Sequence, residues 1–296
     1  MLSISKRTQA ELSMLFVGFV WGTTFVVVKN ALVNIGPFLF LGLRFIIAFL
    51  FLALLSFNSI KKVDRNTVLC GCLLGFFLFL GYSFQTVGLQ YTTSSNAGFI
   101  TGLSVILVPL IYSILHRALP PLSSILTALM ATVGLYLMSV ASYSIKLAYG
   151  DFLILLCAFG FAWHIVLVDL YSYRFNAIAI TGMQVLFVGV LCIIIGLLVE
   201  PWPQKFTLDL WGAVIVTAFF ATALAFLLQN ALQKYSTPTR FAVILTSEPV
   251  FAAVAGNLWA DEILSPRALV GASLILIAML IAILTQKEKD KLRANP

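Results

Sequence analysis

Charged side chains are scarce in this sequence: Asp, Glu, Lys and Arg make up 10% of its 296 residues, against about 25% in an ordinary soluble domain. Set beside 61% hydrophobic residues, that shortage excludes a water-soluble globular domain and places the chain among integral membrane proteins. Acids are fewer still, 11 against 18 bases. In a soluble protein this basic excess would point to nucleic acid, but here the bases fall between apolar runs and act as topology signals. Histidine is limited to His116 and His164, which are far apart in sequence and form no ligand pattern. The four cysteines, Cys70, Cys72, Cys157 and Cys192, lie inside apolar segments, where they read as small packing residues rather than as a disulfide or metal site. A Walker-type phosphate loop is absent, so no ATP is hydrolysed by this chain. Clustered metal ligands, or a nucleophile paired with a base, are absent as well, and a membrane-embedded enzyme would need one of them. The chain is therefore expected to be neither an enzyme nor a nucleic-acid binder, and to need no cofactor.

What is present is a succession of apolar runs. They cover roughly residues 12–28, 37–57, 67–90, 95–115, 122–142, 151–170, 177–199, 209–232, 239–259 and 267–285, each near the length that crosses a hydrocarbon core about 30 Å thick. The first is long for a signal peptide, lacks an obvious cleavage site and is followed by many more spans. Ten transmembrane helices are predicted, joined by short connections that leave no room for a separate soluble domain. With alternate crossings, Lys6, Arg7, Lys61, Lys62, Arg65, Arg117, Arg174, Lys234, Arg240, Lys287, Lys289, Lys291 and Arg293 share one face. The other face receives Lys29, Lys146, Lys205 and Arg267, and Arg44 falls within helix two. Thirteen bases against four put both termini in the cytoplasm by the positive-inside rule. The expected location is the cell membrane, multi-pass, with the run Lys287 to Arg293 as a solvated, lipid-facing tail.

An internal repeat is visible. Gly18-Phe19-Val20-Trp21 returns as Gly160-Phe161-Ala162-Trp163, Gly42 with Arg44 as Gly182 with Gln184, and Pro121 as Pro266. Leu80, Gln85, Tyr91, Thr93 and Ile100 return as Leu224, Gln229, Tyr235, Thr237 and Ile244, 144 residues on. Ordered matches with slowly drifting offsets indicate duplication, and five crossings per unit, an odd number, place the units upside down relative to each other. The predicted fold is all-α, ten transmembrane helices as two inverted five-helix repeats around a central cavity, with residues 1–145 forming the first repeat and 146–296 the second.

Within this apolar background a few residues are out of place. Glu248 and Pro249 sit near the middle of the ninth run. A carboxylate at that depth costs about 2.5 kcal/mol or more unless it faces a cavity or a partner, and Pro249 deprives the Leu245 carbonyl of its helical donor, so the helix should bend there. Glu248 either lines a functional cavity or is a structural acid bonded to a neighbouring helix. On helix eight Thr222, Phe226, Gln229 and Gln233 form one stripe that faces protein, and Tyr82 with Gln85 repeats it on helix three. These amides are substrate-facing or are polar glue between helices. Trp21 and Trp163, deep in matching helices, are expected to face each other across the pseudo-two-fold axis, where flat rings suit apolar, aromatic or cationic groups; packing bulk is the alternative. His164 is either a titrating group or a hydrogen-bonded packing residue. Arg44, charged at depth, needs a partner, and an ion pair is expected. Thr93 and Ser94, and Ser236 or Thr237 before Pro238, read as helix starts. Gly71 with Gly75, and Gly98 with Gly102, have the spacing for close helix contact.

Trp21-Gly22-Thr23-Thr24-Phe25, Pro37 to Arg44, Gly88-Leu89-Gln90-Tyr91 with Ala97 and Pro109, and Ser247-Glu248-Pro249-Val250 followed by Asp261-Glu262 carry a resemblance. The chain is similar along its length to the ten-helix EamA-type permeases of the drug/metabolite transporter superfamily. The resemblance implies an inner-membrane carrier in which helices one, three, four, six, eight and nine surround the cavity, commonly exporting amino acids or other small metabolites. His116-Arg117-Ala118 departs from the pattern, since an acid like Glu262 is expected there. The function read at this level is a secondary-active or facilitative transporter of a small molecule, with protons considered as coupling ions, import of a vitamin-like or sugar-like metabolite as the alternative, and a channel or membrane-embedded enzyme as a remote one. The chain is expected to be a monomer or weak homodimer. The cavity residues are expected to be Trp21, Tyr82, Gln85, Trp163, His164, Gln229 and Glu248, with Arg44, Pro109 and Pro249 structural or gating.

Overall fold

A computed structural model describes residues 5–92, 94–139, 149–203, 205–259 and 265–284. Thr93, Lys146, Asp261, Glu262 and the run Lys287 to Arg293 lie outside the described residues, as does the side chain of Ser94. Every regular element among the described residues is helical. Ten spans follow in order: α1 Lys6–Ala31, α2 Pro37–Leu55, α3 Arg65–Gly88, α4 as Ser94–Gly102 and Ser104–His116, α5 Leu122–Ser139, α6 Tyr149–Tyr171, α7 Ala177–Val199, α8 from Leu208 to Leu232, α9 as Pro238–Leu245 and Glu248–Trp259, and α10 Pro266–Leu284. Eight described segments are long and apolar enough to cross a bilayer, and Leu122–Met138 is a shorter apolar helix. The remaining span, α9, is interrupted.

Helix starts follow local chemistry. Ser5, Asp64, Asn176, Thr207 and Thr237 each accept a backbone N–H of the first turn of α1, α3, α7, α8 and α9, satisfying donors that have no intrahelical partner. Pro37 begins α2, whose exposed donors Phe38 N and Leu39 N both reach the Glu200 carboxylate at 2.8 Å. Pro238 follows its Thr237 cap as the sequence predicts.

Packing is inverted-symmetric. Helix α2 packs on α7 and α5 on α10, so these pairs join like positions of the two halves, while α1 meets α8 and α9 as α6 meets α3 and α4. Glycine permits the closest crossings, because a lipid-embedded pair gains mainly from tight packing. A Cβ on Gly134 would lie 2.7 Å from the Gly271 carbonyl oxygen, and one on Gly271 2.5 Å from that of Gly134. Gly71, Gly75 and Gly102 are also in close contact, whereas a Cβ on Gly98 would meet Pro249 at an ordinary 3.7 Å.

Three helices depart from regular winding, and all three line the centre. α9 breaks at Thr246 and Ser247, the turn just before Pro249, as its missing donor requires. α4 breaks at Leu103, the corresponding place in the first half. α8 contains a π-helical turn, Phe219–Leu224, a device that commonly marks functional positions.

Candidate functional site

The interrupted helices enclose a central cavity of about 70 Å³, room for a few waters and not for a metabolite. α1 supplies Trp21, Thr24, Phe25 and Val28 to its wall, the i, i+3, i+4, i+7 face of that helix. α3 supplies Tyr82, Gln85 and Thr86; α6 supplies Phe161, His164 and Ile165; α8 supplies Phe226 and Gln229; the break of α9 supplies Leu245, Thr246, Glu248 and Pro249. Helices α1, α3, α4, α6, α8 and α9 thus surround it, and α2 reaches in with Arg44.

Arg44 is the fixed cation of the site. The expected ion pair is absent among the described residues, where Arg7 and Glu11 do form one, with Nε and Oε1 2.9 Å apart. Arg44 instead donates Nε to Thr222 Oγ1 at 2.6 Å and Nη2 to the Ala221 carbonyl at 3.1 Å and the Tyr82 hydroxyl at 3.4 Å. Its guanidinium carbon also lies 4.8 Å from the Tyr82 ring centre. The π-helical turn makes this possible. Its wider winding turns the Ala221 carbonyl toward the bundle, where that oxygen accepts both Arg44 and the Trp21 indole N–H, the latter at 2.8 Å. The Thr222 hydroxyl in turn donates a hydrogen bond to the Thr217 carbonyl at 2.9 Å, five residues back. The charge is therefore spread over oxygen dipoles rather than cancelled by a carboxylate.

Glu248 faces the same cavity from the other half of the molecule and has neither hydrogen bond nor ion pair to its carboxylate among the described residues. Gln229 donates Nε2 to Gln233 Oε1 at 3.0 Å, and its own Oε1 is buried with no partner among the described residues. Gln85 reaches Thr101 Oγ1 at 3.4 Å. His164 Nε2 is 2.9 Å from Gln184 Oε1 of α7, which fixes its ring against the wall. The stripe Thr222, Phe226, Gln229 and Gln233 is buried throughout, as its spacing predicts.

One expected cavity residue lies elsewhere, and Pro109, expected to be structural or gating, is also outside the central wall. Trp163 does not line the central cavity; it stacks on Phe77 with ring centres 5.4 Å apart and packs beside Leu167 and Cys70 on the far side of α6. The motif matching Trp21 with Trp163 is one of sequence and not of orientation, because the inward face of α6 is that of Phe161, His164 and Ile165. Pro109 lines a second, larger cavity of about 1,040 Å³ at the face where α1 begins. Residues missed in the sequence include Phe161, Thr101 and Thr246. The signal for Phe161 was available, since it is three residues before His164 and on the same helical face.

The opposite face is shut. Gly88 and Gly150 touch, a Cβ on Gly150 falling 2.7 Å from the Gly88 carbonyl oxygen, the Thr92 hydroxyl donates to Asp151 at 2.5 Å, and Tyr91 meets Tyr149 edge-on with ring centres 5.5 Å apart.

The sequence profile of the EamA-like transporter family matches this chain twice, over residues 8–140 and 148–284. An Archaeoglobus fulgidus protein named "Uncharacterized transporter" is 38% identical over 278 residues, covering 93% of this chain and 86% of that protein. The Bacillus subtilis "Uncharacterized transporter YetK" is 26% identical over 306 residues, covering 97% of this chain and 90% of that one. A solved structure titled "Crystal structure of protein" superposes with a TM-score of 0.77 at 18% identity, over 93% of this chain and 96% of its own, and shares the fold. Two matches to one family, end to end and in register with the two inverted halves, leave one assignment: the chain belongs to the EamA-like transporter family, within the drug/metabolite transporter superfamily.

Proposed function

We propose that this membrane transporter is a secondary carrier that exports amino acids or similarly small zwitterionic or amphipathic metabolites by alternating access. One observation carries the reading: Arg44 from the first half and Glu248 from the second line one cavity, and neither neutralises the other. A wall with a fixed cation and a free carboxylate suits a solute that brings a carboxylate and an ammonium group, each replacing the hydration that its protein partner lacks. The family matches at 8–140 and 148–284 support dividing the chain into halves 1–145 and 146–296. The bias of basic residues supports cytoplasmic termini in the cell membrane.

The two halves are tied at both faces. Thr92 of the first half holds Asp151 of the second, and Ser236 of the second half holds Glu11 of the first at 3.1 Å, on the opposite face. In alternating access one tie opens while the other stays shut. Purified protein in liposomes tests the reading. Efflux and counterflow of amino acids, compared with uptake of vitamin-like and sugar-like solutes, should single out amino acids. Flux of sugars alone, or no flux of any of these solutes, would overturn it. Dependence of flux on an imposed pH gradient decides whether protons are coupled.

A further inference from the structure

The cavity of about 1,040 Å³ takes no part in the central site, and its chemistry is different. It opens at the face where α1 begins, between the end of α4, the connection through Pro120 and Pro121, the ends of α6 and α8 and the first turn of α9. Its size is at the upper end of the range for small-molecule sites. Its walls are tyrosines that carry cations. The Arg174 guanidinium lies 5.7 Å from the Tyr171 ring centre and 5.3 Å from that of Tyr173, and donates Nε to the Tyr173 hydroxyl at 3.0 Å. The Lys234 ammonium lies 5.3 Å over the Tyr235 ring, and His116 stacks on Tyr112 with ring centres 4.0 Å apart. Against these stands one lining acid, Asp169, recessed to 9% exposure. Arg174 has no ion pair among the described residues.

The vestibule also leads somewhere. Its walls on α6, α8 and α9 continue into those of the central cavity: Asp169 follows Ile165 by one turn, Lys234 follows Gln229, and Thr239 precedes Ala242. Between the two spaces runs a hydrogen-bonded chain in which Gln229 donates to Gln233 and Gln233 Nε2 donates to the Ile165 carbonyl at 2.5 Å, tying α8 to α6.

From this juxtaposition we propose that the vestibule is a separate site for organic acids, with Arg174 and Lys234 anchoring a carboxylate and the tyrosines holding an aromatic or apolar body, from which the solute passes Gln233 to the centre. The Arg174 guanidinium, laid on tyrosine faces and without an ion pair among the described residues, can present its remaining N–H donors to an anion, and the ring beside it offers apolar contact that a bare inorganic ion cannot use. Only the passage inward rests on the carrier reading; binding in the vestibule does not.

The test uses the full chain in nanodiscs, with Cys72→Ser removing the one described cysteine that is not buried and Ser124→Cys placing a thiol in the vestibule wall. An anionic sulfonatoethyl methanethiosulfonate should modify Cys at 124 several-fold faster than its cationic trimethylammonium counterpart, after correction for their rates with a free thiol. Arg174→Gln with Lys234→Gln should abolish the preference. Should that double variant fail to fold, high salt on the parent should do the same by screening. Phenylacetate should slow modification, while phenethylamine and inorganic phosphate should not. A cationic preference, a preference unaffected by both charge removal and salt, or equal protection by phosphate would overturn the proposal. Charge preference and phenylacetate protection without any liposome flux would keep the site and remove the carrier reading, whereas flux without them would do the reverse.

Discussion

Asp151 at the start of α6 accepts a hydrogen bond from Thr92 in the connection after α3, and Glu11 at the start of α1 accepts the equivalent bond from Ser236 after α8. Each acid belongs to one half and each hydroxyl to the other, and the two bonds lie on opposite faces. Each bond is worth about 1.5–3 kcal/mol for a charged acceptor, enough to shift a two-state balance about tenfold or more. Thr92→Val should therefore favour opening at its face, and Ser236→Ala opening at the other. Labelling of a cysteine replacing cavity residue Leu89 from the Thr92 face should rise several-fold in Thr92→Val and fall in Ser236→Ala. Equal labelling in both variants would mean that the ties do not gate.

Glu248→Gln should insert and melt at the parental temperature or slightly above, because its carboxylate has no bond to lose among the described residues and an unpaired buried charge is a burden to the fold. Transport should suffer instead, with apparent affinity for an ammonium-bearing solute lowered about tenfold or more, or with the response of flux to a pH gradient abolished. Liposome assays of affinity and pH profile in parent and variant decide. Unaltered values in both would make Glu248 a purely structural acid.

The two tryptophans separate function from packing. Trp21→Phe removes the indole donor to the Ala221 carbonyl inside the cavity, a loss of about 1 kcal/mol, and should weaken apparent affinity several-fold. Trp163→Phe keeps an aromatic ring against Phe77 and should leave affinity unaltered. Both are measured by concentration dependence of counterflow, and an effect of Trp163→Phe equal to that of Trp21→Phe would contradict the wall described above.

At the α5–α10 crossing, Gly134→Val places a side chain against the Gly271 carbonyl and should cost about 1–3 kcal/mol by overpacking. Neither glycine lines the cavity, so flux per folded molecule should hold while the thermal midpoint falls. Thermal unfolding monitored by thiol-reactive dye in parallel with flux separates the two.

Orientation is measured by cysteines at positions 62 and 205, in the connections before α3 and before α8. An impermeant reagent added to intact cells should label the second and spare the first; the reverse pattern would invert the topology drawn from the basic residues.

The spans were legible because a hydrocarbon solvent demands apolar runs of fixed length, and the break in α9 was legible because Pro249 removes a donor. The break in α4 at Leu103 was not, since Pro109 lies six residues beyond it and no residue at the break forbids helix. The same holds for the π-helical turn over Phe-Phe-Ala-Thr-Ala-Leu, which is chosen by tertiary contacts from Arg44 and Trp21 and not by local preference. Trp163 shows why facing is hard to read: α6 is apolar nearly all round, so lipid, packing and cavity faces share one composition and only the rotation set by α3 and α4 tells them apart. Arg44 announced that it needed a partner, but a backbone carbonyl leaves no mark in a sequence.

The π-helical turn of α8 has no counterpart in α3, which winds as an uninterrupted α-helix from Arg65 to Gly88. Two identical inverted halves would make the inward-open and outward-open forms equivalent by the two-fold rotation, equal in energy and in grip on the solute. Here the extra winding sits in the second half alone and pins Arg44 of the first, so the two-fold symmetry is broken at the binding wall itself. Half-saturation should accordingly differ between the two faces of the membrane even when no gradient drives net flow, and a duplicated scaffold thereby acquires a preferred side from which to load.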